Sequence, residues 1–157
     1  MRMTKEEREF HRKVAAQCFN KTWDYLDMKR RKAEADREML HFAHASRYHW
    51  GLVGTPRNLA VGDWILSRVY AELRQSDLAL RFAESALDIC EKSEFNDIMH
   101  TANEAMARAY AVSGDYPMAK GYLDRARQQL DSLKLGRKDK SIYLGQIEQT
   151  ALMIGRR

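Results

Sequence analysis

The chain has 157 residues, 31% of them charged, and carries a net charge of +5. Eight glycines and two prolines are few, so helix is favoured over sheet, and one domain is the expected count. No run of eighteen apolar residues is present to span a membrane, and the charged segment Met1 to Phe10 lacks the apolar core of a secretory signal.

Thr4 and Glu7 form a capping-box signature that opens a long first helix. Phe10, Val14, Cys18, Thr22 and Tyr25 make one row along it, and Ala15, Phe19, Thr22 and Leu26 the next. The charged stretch from Lys29 to Asp36 breaks the chain, and a second helix runs to about Trp50. Gly51 to Arg57, with two glycines and a proline, is expected to be a loop. Helix three covers about Asn58 to Leu73, and Ser76 or Asp77 is expected to cap helix four, which reaches Glu91 or Lys92. Helix five begins between Glu94 and Asp97 and ends at Ser113-Gly114. Asp115 caps helix six, with Pro117 tolerated in its first turn, and this helix ends near Leu135-Gly136. Asp139 caps helix seven.

A forty-residue period runs through these helices. It relates Tyr70 to Tyr110, Arg68 to Arg108, Leu66 to Met106, Ala71 to Ala111, Ala79 to Ala119, Phe82 to Tyr122 and Ala86 to Ala126. In the second helix Met39, Phe42, Ala43, Ser46 and Trp50 continue it backwards. Helix one departs from it, because Asp27 and Arg30 fall where Ser67 and Tyr70 would be. Repetition on this scale means stacked helical hairpins, each burying a face that it cannot bury alone. The expected fold is all-α: three antiparallel hairpins (4–50, 58–92 and 95–135) in one domain spanning 1–157, with a capping helix at 139–154.

Residues 60 to 130 resemble tetratricopeptide (TPR-like) repeats. Leu66-Ser67, Tyr70, Ala79, Ala83 and Ala86 carry the first match, and Met106-Ala107, Tyr110, Gly114-Asp115-Tyr116, Ala119, Leu123 and Ala126 the second. The period is forty where the standard repeat has about 34, and no proline closes either second helix. His41 to Gly54 also resembles a stretch that recurs in bacterial proteins of similar size and layout, a resemblance that carries no activity. The TPR-like resemblance implies that the first helix of each pair lines a groove into which Trp64, Arg68, Glu104 and Arg108 project. Two guanidinium groups one repeat apart suit the carboxylate of a partner peptide. The plainer reading pairs Arg108 with Glu104 at i, i+4.

Helix two also holds a dense polar set: Glu38, His41, His44, Tyr48 and His49, beside Trp50. Glu38 with His41, and Asp97 with His100 in helix five, repeat the carboxylate-x-x-His spacing of two-metal sites in helical bundles. The period opposes this, aligning His41 with Arg81 and Gly121, and His44 with Glu84 and Asp124, all outward positions. The set then reads as a polar structural cluster, or as a binding surface anchored by Tyr48 and Trp50.

No strand-borne phosphate loop or nucleophile elbow is present, so no catalytic residue is assigned and no cofactor is expected. Lys29 to Lys32 and the basic C-terminal end read as solvated surface, not as a nucleic-acid face. Cys18 and Cys90 sit on apolar stripes, which fits a reducing cytoplasm. The expectation is a non-enzymatic interaction protein that binds a peptide or partner subunit. Helix seven either caps the stack, lies in the groove or mediates a homo-oligomer. The alternative is a metal-binding protein or small metal-dependent enzyme built on the histidines.

Overall fold

A computed structural model of the protein describes residues 2–155. It holds seven helices and, among the described residues, no strand: α1 (Lys5–Leu26), α2 (Ala33–Val53), α3 (Pro56–Glu72), α4 (Ser76–Lys92), α5 (Met99–Ser113), α6 (Tyr116–Asp131) and α7 (Arg137–Gly155). They pack as three hairpins, α1·α2, α3·α4 and α5·α6, each stacked on the next. α7 lies against α5 and α6, as α5 lies against α3 and α4.

One stacked aromatic pair marks each hairpin. The rings of Tyr70 and Phe82 are 5.6 Å apart and 4° from parallel, and those of Tyr110 and Tyr122 are 5.7 Å apart and 14° from parallel. The first hairpin has the same device in Tyr25 and Phe42, 5.9 Å apart. Helix one therefore does follow the repeat, displaced by five residues. Ala15, Thr22 and Tyr25 stand forty-five residues before Ala60, Ser67 and Tyr70, and both Ala15 and Thr22 are fully buried, as their counterparts are. A longer connection, residues 27–32, absorbs the shift.

Small residues let the second helices sit close to the first. Ala43, Ala79, Ala83, Ala86, Ala119 and Ala126 are all buried. Buried hydroxyls tie helix to helix: Ser46 Oγ donates to the Ala15 carbonyl at 2.8 Å, and Ser67 Oγ to the Ala79 carbonyl at 2.7 Å. α5 is the central element, with every residue from Ala102 to Ala109 buried. Of the two thiols, Cys90 is buried and Cys18 only partly so.

Several boundaries differ from expectation, among them the start of α5, which falls at Met99 and not between Glu94 and Asp97. The joint after α2 is only Gly54 and Thr55, because Gly51 continues the helix and Pro56 begins the next one. Pro at the first helical position lacks only an N–H that would have gone unused, so it starts a helix here and does not delay one. Thr55 and Asn58 close a capping box over it. α4 is capped by Gln75 without a side-chain bond, and Ser76 and Asp77 lie inside its first turn. Its approach is set instead by Arg74 at φ 60°, in the place that glycine takes forty residues later at Gly114, φ 87°. Likewise Asp139 falls inside the first turn of α7, and α6 stops at Asp131, short of Leu135.

Asp63, 3% exposed, joins three helices. It accepts from Arg47 Nε of α2 at 2.7 Å and from Ser85 Oγ of α4 at 2.6 Å. The Arg47 side chain crosses α3 at Gly62, where an added Cβ would lie 2.7 Å from Arg47 Cδ. Gly62→Ala is therefore expected to lose about 1–3 kcal/mol by overpacking, read from the urea midpoint. An unchanged midpoint would mean that the arginine bends away freely.

Candidate functional site

Trp64 and Arg68 are one turn apart on α3, and His100, Glu104 and Arg108 are successive turns of α5. The i, i+4 spacing puts each set on one face. Glu104, 2% exposed, accepts through Oε1 from Arg108 Nε at 3.0 Å, Arg108 Nη2 at 2.9 Å and Thr150 Oγ1 at 2.6 Å. Arg108, 8% exposed, also reaches the Gln146 carbonyl of α7 at 3.5 Å. The Glu104–Arg108 pair is thus buried, and α7 helps to hold it.

Among the described residues Arg68 has no such partner. Its Nη2 donates to the neutral amide oxygen of Gln149 at 3.1 Å, and its guanidinium lies 5.2 Å from the Trp23 ring centroid. Trp23 in turn meets Trp64 at 5.7 Å. Arg68 Nη1 is enclosed with no hydrogen-bond partner, and so are Trp64 Nε1, His100 Nε2 and Glu104 Oε2. Burial first, and then the charge of Arg108, push the Arg68 pKa down to about 10. This cluster brings two guanidinium groups to the Glu104 carboxylate, whose Oε1 serves Arg108 and Thr150, while Glu104, Glu72 and Asp27 act on Arg68 only through space. Among the described residues Arg68 is left without a hydrogen-bonded carboxylate, which is costly in a desolvated place.

An apolar pocket of about 270 Å³ opens between α1, the end of α2 and the start of α3, lined by Ala16, Phe19, Trp50 and Val61. Arg57 at its edge is already neutralised, bonded to both oxygens of Asp97 at 2.9 and 3.0 Å. Val61 lies seven residues before Arg68 on α3, about 10 Å at 1.5 Å per residue.

The histidine set does not gather in one place. His44 Nε2 meets the Tyr70 hydroxyl at 2.8 Å, and burial followed by the nearby His41 lowers the His44 pKa. His49 meets His11, with Nδ1 atoms 2.8 Å apart. His41 and Glu38 are exposed, and Tyr48 is 64% exposed, edge-on to His49. Asp97 is taken up by Arg57, and this ion pair holds its carboxyl below the usual range. His100 is buried edge-on against Tyr143, and that burial lowers its pKa. Among the described residues, no three His, Cys, Asp or Glu side chains are placed to share an ion.

Trp23, Gln149, Thr150 and His11 belong to these arrangements and were not singled out from the sequence. Trp23 had a signal: a shift of forty-five residues aligns it with Arg68. α7 had one too, since Ser67, Ala107 and Ile147 are forty apart and all buried. Comparison with protein-family models, with curated proteins and with solved structures found no match.

Proposed function

We propose that the chain is a non-enzymatic, TPR-like interaction module whose groove takes a carboxylate of a peptide or partner subunit at Arg68. The observation that carries this reading is the under-compensated guanidinium of Arg68 on a floor flanked by Trp23 and Trp64. Gln149 is exposed and offers Arg68 only a neutral oxygen, so an incoming carboxylate displaces a weak partner with a stronger one. A charge-assisted bond is roughly twice as strong as a neutral one, and a guanidinium can present two donors at once. The neutral pocket beside Phe19, Trp50 and Val61 suits an apolar side chain of the same ligand, with its 270 Å³ just under the about 300 Å³ at which whole-ligand sites begin.

The test is an array of random-sequence peptides displayed with free C-terminal carboxylates, and in parallel as amides. Retention of free-acid peptides, and their loss with Arg68→Met, is the expected result. Equal retention of acids and amides would remove the basis for the proposal.

A further inference from the structure

We propose that His11 and His49 form a site for a borderline divalent transition ion of the Cu²⁺, Ni²⁺ or Zn²⁺ class, on the side of the first hairpin and independent of the groove. The two imidazoles come from the antiparallel helices α1 and α2 and face each other, with Nδ1 atoms 2.8 Å apart, ring centroids 5.0 Å apart and a tilt of 34°. Each ring is steadied by a neighbour packed edge-on, Phe10 against His11 at 5.6 Å and Tyr48 against His49 at 5.5 Å. Both histidines are half-buried, within reach of solvent.

The spacing is what an ion needs. Imidazole binds these metals at about 2.0–2.1 Å, so two ligands at adjacent positions of a square-planar or octahedral ion lie about 2.8–3.0 Å apart. The helices already hold the nitrogens at that separation, and only the rings must turn so that both lone pairs converge. In the resting pair one Nδ1 carries a hydrogen and the other accepts it. To bind, that imidazole changes tautomer, its hydrogen leaving Nδ1 for solvent while Nε2 takes one up, so the neutral pair releases no net proton. Imidazole favours these ions over Ca²⁺ and Mg²⁺, which want oxygen. With no third His, Cys, Asp or Glu at hand among the described residues, water fills the remaining positions.

Tag-free protein at pH 7.5 is titrated with Ni²⁺ and Zn²⁺ by calorimetry, and with Cu²⁺ under electron paramagnetic resonance. The expected result is one equivalent bound, two nitrogen couplings on copper, and affinity falling at least tenfold in both His11→Gln and His49→Gln. His41→Gln/His44→Gln, which removes the neighbouring pair on α2, should bind as wild type does. Absence of stoichiometric binding would overturn the proposal. So would binding that survives His49→Gln, or binding lost only with His41 and His44. The two copper nitrogens are read in wild-type protein, so the test stands even where a variant folds poorly.

Discussion

Replacing Glu104 by alanine is expected to cost about 3–5 kcal/mol, the penalty for stranding a buried charge by removing its partner. Arg108 would lose its carboxylate partner and Thr150 its acceptor, while Arg68 and Arg108 would face each other without the Glu104 anion. Domains of this kind have about 5–15 kcal/mol in total, so the variant should stand near the edge of folding. Urea unfolding followed by circular dichroism measures it. A loss under about 1 kcal/mol would place the pair with solvated surface ion pairs and contradict its burial. Because Thr150 belongs to α7, the same variant should also loosen that helix, visible as faster amide exchange around Ile147.

The second large effect has the opposite sign. Arg68→Met should stabilise the ligand-free protein by about 1 kcal/mol or more, because an apolar side chain of similar length avoids desolvating a charge that lacks an anion. The lost stacking on Trp23 offsets about 0.5–1 kcal/mol of that gain. The same change should weaken binding of a free-acid peptide about 10- to 100-fold, to the level of its amide. A residue that costs stability but is needed for binding behaves as a functional group; a residue that only supports the fold would lower the unfolding midpoint when removed. Destabilisation by Arg68→Met would therefore count against the site.

How much of this the sequence discloses depends on the kind of interaction. The stacked hairpins are legible because packing repeats: the ring pairs at Tyr70–Phe82 and Tyr110–Tyr122, and the alanines on α4 and α6, recur every forty residues. Helix one is harder to read, since Tyr25 performs the same stacking from a position displaced by five residues, which a fixed period misses. Local rules work where the partner is local. Thr4 with Glu7, and Asp115 ahead of Met118, cap as their spacing suggests. They fail at Gly51, where nothing in the helix requires the glycine to leave it. The cluster around Glu104 and Arg68 is legible in part. Glu104 and Arg108 pair at i, i+4 as any helix would allow, yet their burial depends on α7. That Arg68 is left with Gln149, eighty-one residues away, follows only from the closed three-dimensional stack. The same holds for His11 meeting His49 across two antiparallel helices, thirty-eight residues apart.

The central claim, a carboxylate bound at Arg68, is tested most directly by a coupling measurement. A peptide retained on the array is titrated as its free acid and as its amide, into wild-type protein and into Arg68→Met. Hydrogen bonds to charged groups contribute about 1.5–3 kcal/mol, so amidation should weaken wild-type binding about 10- to 100-fold and leave binding to Arg68→Met unchanged. If amidation costs the same in both proteins, the carboxylate does not reach Arg68 and the account of the groove fails.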